Sequence, residues 1–88
     1  MKSITLQIFE DPGHAWARFP KERLAQLGIA DKISPYSYQR KDMAFLEEDC
    51  DLTTLCNALR AHGYTDIKFK ESWTNRYSKI RNYDHYCA

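Results

Sequence analysis

The sequence predicts a small α+β domain: one mainly antiparallel sheet with two helices on one of its faces. Three observations predict it. Residues 51–72 run from an amphipathic helix into a strand: Leu52, Leu55, Cys56 and Leu59 recur at helical spacing, Gly63 ends the helix, and Ile67 and Phe69 alternate with Lys68 and Lys70. Upstream lie two pairs of strand-like stretches, each joined by a short turn, and hairpins impose antiparallel pairing. The chain has 88 residues, 43% of them hydrophobic. That is enough for one domain with one modest core, and too little for a second domain or a deep enclosed cavity.

Taken in order, Ile4, Leu6 and Ile8 alternate with Thr5, Gln7 and Phe9, the pattern of a strand with one apolar face. Glu10-Asp11-Pro12-Gly13 reads as a turn in which Pro presets φ and Gly supplies positive φ. His14 to Phe19 is the returning strand, with Ala15, Ala17 and Phe19 on one face and His14, Trp16 and Arg18 on the other. Pro20 suits the first position of a short helix over 20–27, stopped by Gly28. After a connection anchored by Ile33, residues 36–39 and 43–47 form a second hairpin around Arg40-Lys41-Asp42. The apolar run Met43-Ala44-Phe45-Leu46 predicts a central strand buried on both faces. Asp51 or Asp49 can cap the second helix. The last predicted strand covers 67–72, and the order is ββαββαβ. Residues 73–88 show no clear period and read as a tail of the same domain, either docked or forming a short helix near 77–80.

No apolar run approaches the ~20 residues of a membrane span. Met1-Lys2-Ser3-Ile4 lacks the long apolar segment of a signal peptide. Cys50, Cys56 and Cys87 are odd in number, as suits reduced thiols. These features predict a cytoplasmic location and no membrane partner. The net charge is +1, but its distribution is uneven. Asp42, Glu47, Glu48, Asp49 and Asp51 cluster without a base. Lys68, Lys70, Arg76, Lys79 and Arg81 cluster further on, with Glu71 as the one acid among them. Such clusters either neutralise one another or present two patches to partners.

If the helices cover the face of Ile4, Leu6, Ile8 and Ile67, the opposite face carries Gln7, Phe9, His14, Trp16, Arg18, Lys68 and Lys70. Aromatic rings among bases are what single-stranded nucleic acid requires, since rings stack on bases and cations meet phosphates. Equally, the tail can lie over these rings. The tail mixes Trp73, Arg76 and Tyr77, residue types that anchor protein interfaces.

Candidate chemistry is sparse. Asp11 and His14 can form a carboxylate–imidazole pair beside the turn, a general base, yet spacing places no Ser or Cys to be activated. Cys50, Cys56, His85 and Cys87 offer a zinc ligand set without the usual knuckle spacing. The acid run Glu47, Glu48, Asp49, Asp51 lacks the glycine and alternating ligands of a calcium loop and reads as helix-capping charge or an acidic patch for a basic partner. No phosphate-binding loop or dinucleotide fingerprint is present. The sequence therefore predicts no metal and no cofactor.

Five stretches carry a resemblance: Asp11-Pro12-Gly13-His14-Ala15-Trp16, Leu27-Gly28-Ile29, Ile33-Ser34-Pro35-Tyr36-Ser37-Tyr38, Phe45-Leu46-Glu47-Glu48-Asp49-Cys50-Asp51 and Ile80-Arg81-Asn82-Tyr83. Together they resemble a family of small proteins from phages and other bacterial mobile elements, over roughly residues 4 to 83. Ala15 stands where that family's pattern has Gly. The resemblance implies a setting inside a bacterial host cell and carries over no catalytic residue. In that setting the expectation is a non-catalytic binding protein acting on a host protein or nucleoprotein complex, of an anti-defence type such as anti-CRISPR proteins. The contacts expected are Trp16, Arg18, Lys68, Lys70, Trp73, Arg76 and Tyr77. Two alternatives stand beside it: nucleic-acid binding through the aromatic–basic sheet face, and a small hydrolase-like enzyme using Asp11 and His14. A free sheet edge would also support a homodimer.

Overall fold

Two hairpins build the centre of the sheet. In the computed structural model, which describes residues 2–88, the first hairpin joins β1 (Lys2–Glu10) to β2 (Ala15–Pro20). The second joins β3 (Tyr38–Arg40) to β4 (Met43–Glu47). Helix α1 (Lys21–Gln26) follows β2, and α2 (Leu52–Ala61) leads into β5 (Tyr64–Trp73); a short β6 (Asp84–His85) ends the fold. Among the described residues these form one sheet of six strands in the order β5-β1-β2-β4-β3-β6. The α+β class and the mainly antiparallel sheet are as the sequence predicts, and the tail adds a strand to the five expected. The β1–β5 pairing alone is parallel among the described strands. β4 runs in the same direction as β1, being antiparallel to β2. The crossover through α2 returns the chain in that direction at the edge beyond β1, as a helical connection permits.

The alternation of the strands sorts side chains onto two faces. Leu6, Ile8, Ala17, Phe19, Ala44 and Leu46 face Leu24 of α1 and Leu55, Cys56 and Leu59 of α2, and together they form the main core. Both helices therefore lie on one face, as predicted. Pro20 caps α1 without entering it, and both helices end at a glycine in the left-handed region, Gly28 at φ 77° and Gly63 at φ 95°. β4 is central and its residues 44–47 are buried.

The opposite face has its own smaller core of Trp16, Phe45 and Ile80, flanked by Phe9, Tyr38, Met43 and Tyr83. Ile80 belongs to a 3₁₀ turn, Lys79–Asn82, in the C-terminal segment. Tyr83 packs on Phe45 at 5.1 Å between ring centroids, and His85 stacks on Tyr38 at 5.1 Å. Tyr86 crosses to the main core, where its hydroxyl donates to Ala30 O at 2.6 Å. The tail is thus docked, and it covers the rings that the sheet face would otherwise present.

Asp11 fastens this tail. It is buried, and its Oδ1 accepts from Gly13 N (3.0 Å), His14 N (2.9 Å) and Arg81 Nη2 (2.9 Å). Its Oδ2 accepts from Ser78 N (2.9 Å) and Arg81 Nε (2.7 Å). Gly13 is not among the left-handed glycines, which corrects the positive φ expected of it. Its lack of a side chain leaves room for the clamp: a Cβ there would lie 3.0 Å from Arg81 Nη2, closer than an ordinary contact.

Candidate functional site

The β2–β4 pairing brings the first turn beside the acid run. Trp16 is in register with Glu47, and Glu48 N donates to Ala15 O at 2.9 Å. His14, at the mouth of the first hairpin, consequently meets carboxylates more than thirty positions away. Its Nδ1 lies 3.5 Å from Glu47 Oε1, and with Asp49 the three ligand-type atoms lie within 4.8 Å of one another. Glu47 is 7% exposed, whereas His14 and Asp49 are exposed.

Beside this group lies a cleft of about 270 Å³ lined by His14, Trp16, Tyr36, Tyr38, Glu47, Cys50 and Arg81. Trp16 forms its aromatic floor and is 2% exposed. The indole N–H of Trp16 is the one buried side-chain polar atom without a hydrogen-bond partner among the described residues. The Arg81 guanidinium sits 5.6 Å from the Trp16 ring and 4.5 Å from that of Tyr77, so the cation is held between two aromatic faces. The Asp11 carboxylate raises the Arg81 pKa, and the Arg81 guanidinium in turn holds the Asp11 carboxyl well below the usual carboxylate range. The Glu47 carboxylate beside Cys50, with some desolvation and the neighbouring acids Asp51 and Asp49, pushes its thiol up. A thiol held protonated is a poor nucleophile.

The carboxylate–imidazole pair expected of Asp11 and His14 does not form. Asp11 accepts from the backbone N–H of His14, and its lone pairs are taken by the tail; the imidazole faces Glu47 instead. Asp51 occupies the N-cap position of α2 but makes no side-chain cap bond there. Its carboxylate accepts from Ser34 N (3.0 Å), Ser34 Oγ (2.7 Å) and Ser37 Oγ, tying the β3 approach to α2. The predicted acidic patch is accordingly divided: Glu48 and Asp49 are exposed, Glu47 and Asp51 are buried. The cysteines are apart in role. Cys56 is in the core, with desolvation pushing its thiol up, Cys50 is at the cleft, and Cys87 is exposed, within 3.5 Å of Gln39 Nε2.

Of the expected contacts, Trp16 is buried in the second core and lines the cleft. Arg18 is exposed over Phe9, at 5.6 Å. Lys68 and Lys70 are exposed on the edge strand β5, and Lys68 pairs with Asp66 at 3.4 Å. Trp73 (64% exposed), Arg76 and Tyr77 (74% exposed) are free of the core. Sequence reasoning missed Tyr36 (69% exposed), Glu47 as partner of His14, and Arg81 as the clamp. The register of the second hairpin against the first would have found Glu47, but only with the strand order known.

Trp73 and Tyr77 reach the same end of the molecule as the cleft. A second hollow, lined in part by Glu10, Pro12, His14, Glu48, Asp49 and Trp73, shares His14 with the cleft. A third, lined by Pro12, Asn75, Arg76 and Tyr77, shares Pro12 with the second. No helix among the described residues is long and apolar enough to cross a membrane. Compared with known proteins, the chain matches no family model, no curated protein and no solved structure.

Proposed function

We propose that this protein is a non-catalytic binding protein that docks a macromolecular partner on the end of the molecule around the β1–β2 turn. The bacterial mobile-element setting implied by the resemblance makes a host protein or nucleoprotein complex the partner class, of the anti-defence type. The observation that carries the reading is the grouping of Tyr36, Trp73 and Tyr77, three of the four exposed large apolar side chains among the described residues, around three hollows linked in turn by His14 and Pro12. Exposed rings concentrated at one place are unusual for a surface with no partner, and Tyr, Trp and Arg are the common anchors of interfaces. Glu10, Glu48 and Asp49 rim the same end, so the complementary surface carries Arg or Lys, whose cations also suit the aromatic faces.

The tail lies over Trp16 and Phe45, two of the rings a nucleic-acid platform on this sheet face would use, so the observations favour a protein partner over nucleic acid. The test is a tagged pull-down from bacterial lysate, split into nuclease-treated and untreated halves. It is run with the wild type and with a Trp73→Ala/Tyr77→Ala variant, whose changes are at exposed positions and leave the fold intact. A protein retained after nuclease by the wild type and lost by the variant is the expected result. Retention only without nuclease, or equal retention by both proteins, would overturn the reading.

A further inference from the structure

The three buried carboxylates of the described chain differ sharply in how they are satisfied. Asp11 accepts five hydrogen bonds of 2.7–3.0 Å. Asp51 accepts from Ser34 N, Ser34 Oγ and Ser37 Oγ. Glu47 is left with a long contact from Asp49 N (3.4 Å) and the His14 ring at 3.5 Å. A buried carboxylate is normally paired, fully hydrogen-bonded or bound to a metal. Glu47 is therefore the buried carboxylate with lone pairs to spare, while Asp11 and Asp51 are held by several donors each.

From this we infer that His14, Glu47 and Asp49 form a binding site for a first-row transition-metal dication of the Zn²⁺ type. The donor set is one imidazole nitrogen and two carboxylates, which suits such ions better than the all-oxygen shells of calcium or magnesium. The spacing fits as well. Ligands about 2.0–2.1 Å from Zn²⁺ in a tetrahedron lie roughly 3.3 Å from one another, and His14 Nδ1 and Glu47 Oε1 are 3.5 Å apart. Asp49 is exposed and within 4.8 Å of both, so a side-chain rotation brings its carboxylate in. Three protein ligands leave at least one position open, and His14 lines both adjoining hollows, so that position faces the surface. The site differs entirely from the Cys50, Cys56, His85, Cys87 set considered from the sequence. It holds whether or not the partner surface described above is correct.

The experiment is a titration of the EDTA-treated 88-residue chain with Zn²⁺ by calorimetry and with Co²⁺ by visible absorption. The wild type and the His14→Ala, Asp49→Asn and Cys50→Ser variants are compared, each checked for its fold by circular dichroism. One equivalent bound by the wild type and by Cys50→Ser is expected, with affinity reduced roughly tenfold or more in His14→Ala and in Asp49→Asn. Asp49 is exposed, so the Asp49→Asn result does not depend on a folding defect. The absence of saturable binding overturns the inference. So does binding unchanged in both ligand variants, or binding lost in Cys50→Ser alone, which would assign the metal to the thiol.

Discussion

Asp11 shows how one side chain can decide a surface. Its carboxylate closes the β1–β2 turn through Gly13 N and His14 N and holds the tail through Ser78 N and Arg81. Replacing it with Ala leaves the partly buried Arg81 guanidinium without its ion partner and frees the tail. The expected loss is about 1.5–3 kcal/mol in urea unfolding, in the range for hydrogen bonds to a charged group. The pH dependence follows from the same contacts. The folded-state pKa of Asp11 is depressed, so its contribution is fully present above the unfolded carboxylate value of about 3.9 and is lost as pH falls below it. Wild-type stability measured between pH 7 and pH 2 therefore declines on the acid side, and Asp11→Ala flattens that decline. An unchanged acid slope in the variant would count against this role. The residue was visible in the sequence as a turn former, since Asp before Pro-Gly has a local mechanism. Its bond to Arg81, seventy positions away, was not.

At the scale of elements, local chemistry was legible wherever a period or a terminator existed. The helical spacing of Leu52, Leu55 and Leu59 and the alternation in β1 and β5 assign faces directly, because a side chain's direction follows from helix or strand geometry. Gly63 illustrates a terminator. It ends α2 at φ 95°, and an added Cβ would meet only Lys2 Cδ at an ordinary 3.9 Å. The cost of Gly63→Ala is therefore conformational, and a destabilisation of about 1–2 kcal/mol is expected by denaturant unfolding. A neutral result would mean that the turn relaxes out of the left-handed region. Strand limits were less legible. β5 extends to Tyr64–Trp73, beyond the predicted 67–72, because pairing with β1 holds residues whose own pattern is too polar to announce a strand.

For the whole molecule, the tail is a structural component. Ile80 completes the second core, Tyr86 enters the first, and β6 pairs with β3. Small domains have stabilities of about 5–15 kcal/mol, and burial of one large apolar side chain contributes roughly 1.5–3 kcal/mol. Removing residues 77–88 deletes Ile80, Tyr83 and Tyr86 together and uncovers Phe45 and Trp16. The truncated chain is expected to lose its cooperative thermal transition and to bind an apolar dye such as ANS. A sharp melt near that of the full chain would show the tail to be dispensable.

The sequence by itself determined the α+β class, the two hairpins, the two glycine-stopped helices and which strand residues share a face. Each of these rests on interactions within a few residues or on a fixed geometric period. Only the tertiary structure decided the place of β5 beyond β1, the docking of an aperiodic tail over Trp16, and the meeting of His14 with Glu47 and Asp49. Those outcomes depend on which surfaces remain to be buried once the hairpins and helices have formed, and no local spacing encodes that.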